Sequence, residues 1–332
     1  MKNDYWLASY LYYTEPWETI LTEAVKPFAE QILQEGLANQ YFFIRYWERG
    51  PHIRLRFKGN KDTLEKNVLP RLTTFFSEYI ALNPSKNLET PWMKDLPEDK
   101  KWYPNNSIQH IAYEPETERY GGEYAILLAE QQFQASSNAV LAIISESEGW
   151  SYEKALGAAI QLHLSFAHAI GLTYSEVCYF YAHIQQAWFP RAYYNYEPNV
   201  DAEELKKRAE ITQKAFEENF QKQKQFLVGF HEMLWNGLQE EAEFENEWMN
   251  TWIAEIKNYN SAVIKLQEEK KYVANIPANY NMPKHLAKPL VERLWIYESL
   301  IHMTNNRLGI QNRDEAFLGY LIKRSMEELN KN

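Results

Sequence analysis

The sequence predicts an α+β protein, in which a ferredoxin-like β-α-β-β-α-β part is followed by a mainly helical part and the two pack as one unit. Strand-like segments rich in aromatic and β-branched residues alternate with amphipathic helices over residues 1–122. From residue 123 onward, apolar residues recur almost throughout at helical spacing. We therefore divide the chain into parts 1–122 and 123–332.

The first part is predicted to contain four strands and two helices. Residues 6–13 are rich in aromatic side chains and contain no glycine or proline, which is typical of a strand. Thr14 then caps a helix that has Pro16 in its first turn and ends at Gly36. The remaining elements are a hairpin over 42–57, a helix over 62–82 and a strand over 108–113; Pro27 and Pro70 lie inside the two helices, where we expect kinks.

The hairpin carries the most informative pattern, because side chains alternate on both sides of the turn marked by Gly50-Pro51. Alternation places three apolar side chains on one face and three polar ones on the other, namely Ile53, Leu55 and Phe57 against His52, Arg54 and Arg56. Arg45 of the preceding strand is a candidate to join the polar face across the ladder. Such a face is either a solvated surface or an anion site, because guanidinium groups bind carboxylates through two parallel hydrogen bonds.

The second part is predicted to be a succession of helices separated by glycines and loops. The predicted helices are 124–147, 152–170, 175–187, 201–257, 293–308 and 313–330. The fourth is too long for one ordinary globular helix, so we expect a break near Gly229 or Gly237. The acidic run 239–247 is most simply a solvated helix face.

Composition excludes several classes of function. A net charge of −10 argues against a nucleic-acid binder, and a single cysteine excludes a disulfide framework or a multi-cysteine zinc site. The histidines have no metal-ligand spacing, and we find no phosphate-binding glycine loop, nucleophile elbow or dinucleotide fingerprint. The absence of a signal-peptide pattern and of an apolar run of about 18 residues predicts a cytoplasmic protein without a transmembrane segment.

A basic residue and two glycines follow the last predicted strand. Gly121 and Gly122 allow backbone to approach backbone or ligand closely. Arg119, just before them, either faces the same space as the hairpin arginines or only pairs with Glu116 or Glu118.

A polar cluster lies on the helix predicted at 293–308. His302 and Asn306 are four residues apart and share a face, with Asn305 three residues from His302. Such a cluster on an otherwise apolar helix needs partners or a cavity.

These stretches together resemble one family. They are Phe42-Phe-Ile-Arg-Tyr, Gly50-Pro-His-Ile-Arg-Leu-Arg, Glu118-Arg-Tyr-Gly-Gly, Ile301-His-Met-Thr-Asn-Asn-Arg-Leu and Arg313-Asp-Glu. In this order and spacing they resemble the C-terminal elimination domain of class I lanthipeptide dehydratases, a fold also used by stand-alone thiopeptide-type bacteriocin biosynthesis proteins.

The resemblance implies a lyase that acts on a ribosomally made precursor peptide. In that family a partner domain esterifies Ser or Thr with glutamate from glutamyl-tRNA, and the elimination domain then removes the Cα proton and expels glutamate, leaving dehydroalanine or dehydrobutyrine. No metal or organic cofactor is implied. Because 332 residues leave no room for the glutamylation domain, we expect a separate glutamyl-tRNA-dependent glutamylation protein as a partner.

The resemblance also implies residue roles. Arg54, Arg56 and Arg119 match the arginines associated with the glutamyl adduct and elimination, and His302 matches the catalytic histidine. Thr304 stands where relatives often have a second histidine. We further expect the substrate to contact Arg45, His52, Tyr120, Asn305 and Asn306.

The chemistry of elimination agrees with these residue types. Expulsion of glutamate creates a carboxylate beside one already present, and fixed guanidinium groups stabilise both. Removal of a Cα proton needs a base and a donor to the enolate oxygen, and imidazole suits either task. Whether His302 takes or donates the proton stays open at this point, and we expect it to converge with Arg54, Arg56 and Arg119.

Two other functions compete with elimination. A pyridine-forming cyclase of thiopeptide assembly joins two dehydroalanines in a formal [4+2] cycloaddition, but it has no glutamate to bind and less need for the arginines. A non-catalytic module that binds the leader peptide is compatible with aromatic residues that we expect to be exposed, namely Trp92, Trp102 and Trp188.

Overall fold

The computed structural model describes residues 4–88, 96–194, 200–278, 280, 283 and 285–331. It confirms the predicted fold class, with a four-stranded antiparallel sheet near the N-terminus followed by helices. The chain forms two compact units: unit 1 is Met1–Glu116 with Phe133–Trp150, and unit 2 is Thr117–Gln132 with Ser151–Asn332. The boundary after residue 122 and the packing as one unit stay predictions.

Unit 1 has the predicted β-α-β-β-α-β order. Its elements are β1 (Asp4–Tyr12), α1 (18–34), β2 (Gln40–Tyr46), β3 (His52–Asn60), α2 (61–82) and β4 (Ser107–His110). The strands lie in the order β2-β3-β1-β4, and every neighbouring pair is antiparallel. This is the strand order that the ferredoxin-like connections produce.

Helices α1 and α2 each contain a π-helical turn shortly before an internal proline. Leu21–Val25 precedes Pro27, and Leu64–Val68 precedes Pro70. Proline has no N–H for the regular helical hydrogen bond, and its ring crowds the carbonyl one turn earlier. A wider turn at that place lets both helices continue past the proline.

The apolar core of unit 1 lies where these helices cover one face of the sheet. The Phe28 ring of α1 contacts Phe57 of β3 and Phe76 of α2, at centroid distances of 5.9 and 5.4 Å. Ile53, Leu55 and Phe57, the apolar side of the hairpin pattern, are fully buried. The alternation in the sequence therefore identified the core face.

Helix α3 (Ala125–Glu146) protects the outer edge of β2 through its later turns. The backbone N–H groups of Tyr41 and Phe43 donate to Gln134 Oε1 and Ser137 Oγ, at 3.3 and 3.2 Å. Side chains of a helix thus satisfy strand donors that an open sheet edge leaves unpaired.

Unit 2 is helical among its described residues. Besides the first turns of α3, its helices are α4 (Tyr152–Ala169), α5 (Tyr174–Tyr193), α6 (Ala202–Gln239), α7 (Glu247–Glu268), α8 (Lys288–Leu308) and α9 (Asn312–Leu329). The long predicted helix breaks just after Gly237, one of the two expected places, and runs through Gly229 unbroken.

Candidate functional site

The polar face of the hairpin is present in unit 1 as predicted. The register pairs Arg54 with Tyr10 and Ile44, and Arg56 with Ala8 and Phe42. Directly paired residues of neighbouring strands point to the same face, so the two arginines lie side by side opposite the helix-covered face.

Arg54 is held by aromatic rings and two hydrogen bonds. Its guanidinium carbon lies 3.7 Å from the ring centroid of Tyr46 and 4.6 Å from that of Tyr10. Its Nε donates to His52 Nε2 at 3.0 Å, and its Nη2 lies 3.2 Å from the exposed carboxylate of Glu48. The aromatic faces fix the plane of the guanidinium, which favours bidentate recognition of a carboxylate.

His52 holds Arg54 in place through a hydrogen bond. Its ring is fully buried, stacks on Tyr10 and donates from Nδ1 to the Gly50 carbonyl at 2.8 Å. Burial lowers the pKa of His52 to about 4, so the ring is neutral near pH 7 and Nε2 accepts the proton of Arg54 Nε. Both nitrogens are thus occupied within unit 1, while the expected contact between His52 and the substrate stays a prediction.

Arg56 is more deeply buried than Arg54. Its guanidinium carbon lies 4.2 Å from the Tyr113 ring and 5.1 Å from the Phe42 ring. Burial lowers the pKa of its guanidinium. Within the described part of the chain Arg56 makes no ion pair, and its buried Nε has no hydrogen-bond partner. A buried cation with an unused donor is suited to an anionic ligand.

Arg45 does not join these arginines, which corrects the prediction. The register pairs it with Ile53, so its side chain points to the opposite, helix-covered face. There its Nη1 donates to Glu18 Oε1 at 2.7 Å, and its side chain is 4% exposed. The physical reason is the two-residue period of a strand, which places Arg45 on the apolar side of the ladder.

The catalytic candidate of unit 2 is His302, near the end of α8. Gly309 ends this helix with a positive φ of 83°, and α9 begins three residues later. The turn brings Glu315 of α9 to His302, whose Nδ1 lies 2.7 Å from Glu315 Oε1. Glu315 is 1% exposed, whereas the His302 side chain is 16% exposed.

Asn305 extends this pair into the core. Its Nδ2 donates to Glu315 Oε2 at 3.1 Å, and its Oδ1 accepts from His163 Nε2 at 2.8 Å. Burial lowers the pKa of His163 to about 4, which keeps that ring neutral. The carboxylate therefore accepts from both His302 and Asn305, so Nδ1 of His302 carries a proton and Nε2 is the nitrogen left for chemistry.

Trp188 of α5 packs against the ring of His302. Its ring stacks on His302 with centroids 4.4 Å apart and planes 19° apart. The expectation that Trp188 and Trp102 are exposed is wrong, since both side chains are half-buried. Trp92 lies outside the described residues.

Arg119 is anchored to the same helix as His302. Its Nε donates to Ser299 Oγ at 3.2 Å, three residues before His302. The two glycines that follow Arg119 allow the predicted close approach of another segment. Gly121 and Gly122 have φ of 94° and 93°. A Cβ at Gly121 would lie 2.8 Å from the ring of Tyr272. Tyr120, between Arg119 and the glycines, is buried.

Thr304 lies two positions after His302 on α8. Its hydroxyl donates to the Leu300 carbonyl at 2.9 Å, and the side chain is buried. Positions two apart on a helix point about 200° away from each other, so Thr304 does not substitute for an imidazole beside His302.

Sequence reasoning identified His302, Asn305 and Arg119, which unit 2 brings to one region. It gave no role to Glu315, and it considered Trp188 only as an exposed aromatic residue. Glu315 was visible in the Arg313-Asp-Glu stretch, as an acid in the first turn after a glycine-ended helix. Asn306 is half-buried, and its expected contact with the substrate stays a prediction. The convergence of Arg54 and Arg56 with Arg119 and His302 also stays a prediction.

The described ranges lack both a metal cluster and a membrane-spanning helix. These residues contain no group of three or more His, Cys, Asp or Glu side chains placed to hold a metal ion. None of the helices described is long and apolar enough to cross a membrane.

Comparison with known proteins shows the family to which the chain belongs. Residues 6–326 match the family profile described as lantibiotic biosynthesis dehydratase C-term. The chain therefore belongs to the family of lantibiotic dehydratase C-terminal domains. No curated protein sequence matches it significantly.

Solved structures share the fold at low sequence identity. The chain is similar to the pyridine synthase TbtD from thiomuracin biosynthesis, with a TM-score of 0.73, 16% identity, and coverage of 98% of this chain and 99% of TbtD. It is similar to TsrL, with a TM-score of 0.68, 16% identity and coverage of 99% and 96%. It is also similar to the tRNA-dependent lantibiotic dehydratase MibB from Microbispora sp. 107891, with a TM-score of 0.60 and 18% identity, covering 100% of this chain and 29% of MibB.

Proposed function

We propose that the chain is a lyase that eliminates glutamate from glutamylated Ser or Thr residues of a ribosomally made precursor peptide. The observation that carries the proposal is the fixed tautomer of His302, whose Nδ1 is bound to buried Glu315. Nε2 is then the nitrogen that accepts a proton, as a general base requires. Arg119 is bonded one helical turn away, where it supplies a cation beside this base.

In the proposed reaction, His302 Nε2 takes the Cα proton of the glutamylated residue. The electron pair of the C–H bond forms the Cα=Cβ double bond, the Cβ–O bond breaks, and glutamate leaves as a carboxylate. Glu315 compensates the positive charge that develops on the imidazole ring. The guanidinium groups stabilise the negative charge that moves onto the leaving group.

Arg54 and Arg56 are the proposed ligands of the glutamyl group. Both lie on one face of the sheet, over aromatic rings that fix their orientation. The unpartnered Nε of Arg56 and the forked Nη atoms of Arg54 suit the two carboxylates of glutamate. In this proposal they act on the same substrate molecule as His302 and Arg119.

The glutamylated substrate of this reaction must be made by another enzyme. Esterification of Ser or Thr by glutamate from glutamyl-tRNA requires a separate glutamylation protein, which we propose as the partner of this chain. The tRNA dependence of the structurally similar lantibiotic dehydratase MibB is compatible with such a system.

A pyridine-forming cycloaddition is the second candidate. The observation that favours it is that this chain and the pyridine synthase TbtD cover each other almost end to end. At 16% identity the likeness concerns the fold alone. The arginines of unit 1 favour elimination, because a cyclase has no glutamate to bind.

Mass spectrometry of two peptides separates the functions. The purified protein is mixed with a glutamylated precursor peptide and, separately, with the dehydrated peptide. We expect the glutamylated peptide to lose its glutamyl group and to end one water lighter than the unmodified peptide. Turnover of the dehydrated peptide alone, with cyclisation and release of the leader, contradicts the proposal and supports the cyclase.

The variant His302→Ala separates catalysis from peptide binding. We expect it to lose elimination and to keep its affinity for the glutamylated peptide, because the base is removed and the arginines remain. A protein that binds the peptide equally well with or without His302, and turns over neither substrate, is a leader-binding module.

A further inference from the structure

A second histidine–carboxylate pair lies in unit 2. His183 Nε2 of α5 lies 3.0 Å from Glu298 Oε2 of α8. Both side chains are partly accessible, at 16% and 20% exposure. The exposure of His183 therefore equals that of His302, the proposed base.

The two pairs share one face of α8. Glu298 and His302 are four residues apart, a spacing that places Cβ atoms about 5–6 Å from each other on a helix. Ser299, which binds Arg119, lies between them. Helix α5 passes both pairs, since His183 contacts Glu298 and Trp188, five residues later, stacks on His302.

Each histidine keeps one nitrogen available. Nδ1 of His183 and Nε2 of His302 have no hydrogen-bond partner in the described part of unit 2, and neither is among its buried unpartnered atoms. Aromatic rings surround His183, with the centroids of Trp295 and Tyr280 at 5.7 and 5.6 Å. The two carboxylates thus fix two imidazoles, and each imidazole has one free nitrogen in a partly enclosed aromatic environment.

We propose that His183, oriented by Glu298, is a second catalytic group, which donates a hydrogen bond to the backbone carbonyl oxygen of the residue that undergoes elimination. This inference rests on the proposed elimination and adds a catalytic group to it. When His302 takes the Cα proton, the electron pair moves toward the carbonyl oxygen, and the Nδ1–H of the His183 imidazolium stabilises that oxygen by a hydrogen bond. As the carbonyl re-forms, the Cβ–O bond breaks, glutamate leaves and the proton stays on His183.

The position of the second pair suits this division of tasks. A Cα atom lies about 2.4 Å from the carbonyl oxygen of its own residue, as bond lengths of the backbone require. The two tasks therefore fall to neighbouring groups, and Glu298, which holds His183, lies one helical turn from His302 on the same face of α8. A donor at the carbonyl oxygen is what a weakly acidic Cα–H needs.

Steady-state kinetics of elimination test the proposal with the full-length chain and glutamylated peptide. His183→Gln keeps a donor toward Glu298 but presents no charged N–H to the carbonyl oxygen. We expect kcat to fall about 100-fold, which is a usual contribution of one donor to a developing oxyanion, with KM changed less than about threefold. The matched control is His168→Gln, another half-buried histidine of unit 2, which packs against Trp235 and has no hydrogen-bonded carboxylate; we expect wild-type rates.

An isotope effect distinguishes a donor at the carbonyl oxygen from a structural link between helices. The isotope effect on a substrate deuterated at Cα must rise in the variant, because Cα–H cleavage becomes slower. A variant that is folded by circular dichroism and has a wild-type kcat, or a lower kcat with an unchanged isotope effect, overturns the proposal.

Two further outcomes are decisive. If His183→Gln does not fold, Glu298→Gln takes its place, and a smaller loss of kcat with the same direction of change in the isotope effect is expected. If the wild type itself leaves the glutamylated peptide unchanged, the proposed function fails and this inference fails with it. Turnover by the wild type together with equally fast turnover by His183→Gln refutes the second site alone.

Discussion

A histidine acts as a base in a defined direction only when its other nitrogen is held. Glu315 holds that of His302, and Asn305 in turn holds Glu315. The carboxylate is nearly inaccessible to solvent, so its charge is weakly screened where it meets the imidazole ring. The direction of the proposed proton transfer is therefore set by a residue that does not touch the substrate.

Replacing Glu315 by Gln tests this arrangement. The amide of Gln presents an N–H to His302, which moves the imidazole proton to Nε2 and removes the basic nitrogen. We expect elimination to slow by about 10³-fold or more, as the same exchange does in other carboxylate–histidine pairs. Single-turnover kinetics with glutamylated peptide measure the effect.

Asp314→Asn is the control for that variant. Asp314 is the neighbouring carboxylate of α9 and accepts a hydrogen bond from the Tyr152 hydroxyl at 2.6 Å. Its replacement should leave the rate within about twofold of wild type, because Asp314 has no contact with His302. Equal losses in both variants would show that α9 merely supports the fold.

The residue predictions succeeded where one element determined the outcome. Strand alternation placed Arg54 and Arg56 together on one face of the sheet. It did not place Arg45, because its face depends on the register between two strands, which pairs it with Ile53. Glu315 was missed for a similar reason, since its role arises only when α9 folds back on α8.

At the scale of elements, the glycine pair after Glu118 shows how a loop is fixed. Gly121 has a positive φ, and its carbonyl accepts a hydrogen bond from the Val273 N–H at 3.0 Å. Tyr272 lies so close that no side chain fits. The loop that carries Arg119 is therefore held against the segment after α7 by both backbone and ring contacts.

Gly121→Ala should destabilise unit 2 by about 3 kcal/mol or more, because strain from the positive φ adds to overpacking against Tyr272 and Ala125. Gly171→Ala is the matched control. Gly171 has φ of 81° and nothing within 4 Å of its added Cβ, so only the backbone strain of about 1 kcal/mol is expected. Urea unfolding of both variants measures the difference, and equal losses would show that Tyr272 gives way.

Helix positions were predictable from periodicity, but their local irregularities were not. The prolines at positions 27 and 70 predicted kinks, which stay a prediction, and the structure has a π-helical turn before each one. Helical periodicity alone does not show where such a turn widens. Gly229 and Gly237 were equal candidates for the break in the long helix for the same reason.

At the scale of the whole molecule, three buried histidines make folding sensitive to acid. Burial lowers the pKa of His52 and His163 to about 4 and that of His231 to about 3, from 6.5. Unfolding exposes these rings and lets them bind protons at higher pH. The unfolded chain therefore gains protons first as the pH falls below about 6.5.

We expect the free energy of unfolding to be insensitive to these groups above pH 7 and to decrease from about pH 6.5 to about pH 4. Each histidine contributes up to about 1.4 kcal/mol per pH unit over that range. Denaturant titrations at several pH values measure the slope. His231→Phe should lower the slope of unfolding free energy against pH by the contribution of one histidine. Neither nitrogen of His231 has a hydrogen-bond partner among the described residues, so the substitution breaks no hydrogen bond there. An unchanged slope would contradict the lowered pKa of His231.

The sequence by itself determined the α+β class, the order of strands and helices, the polar and apolar faces of β3 and the polar cluster around His302. These features follow from the two-residue period of a strand, the 3.6-residue period of a helix and the conformational demands of Gly and Pro. Only the tertiary structure decided that Arg45 pairs with Glu18, that Glu315 orients His302 and that His183 meets Glu298. Each of these joins residues from different elements, whose distance depends on strand register and helix packing, and local periodicity carries no information on either.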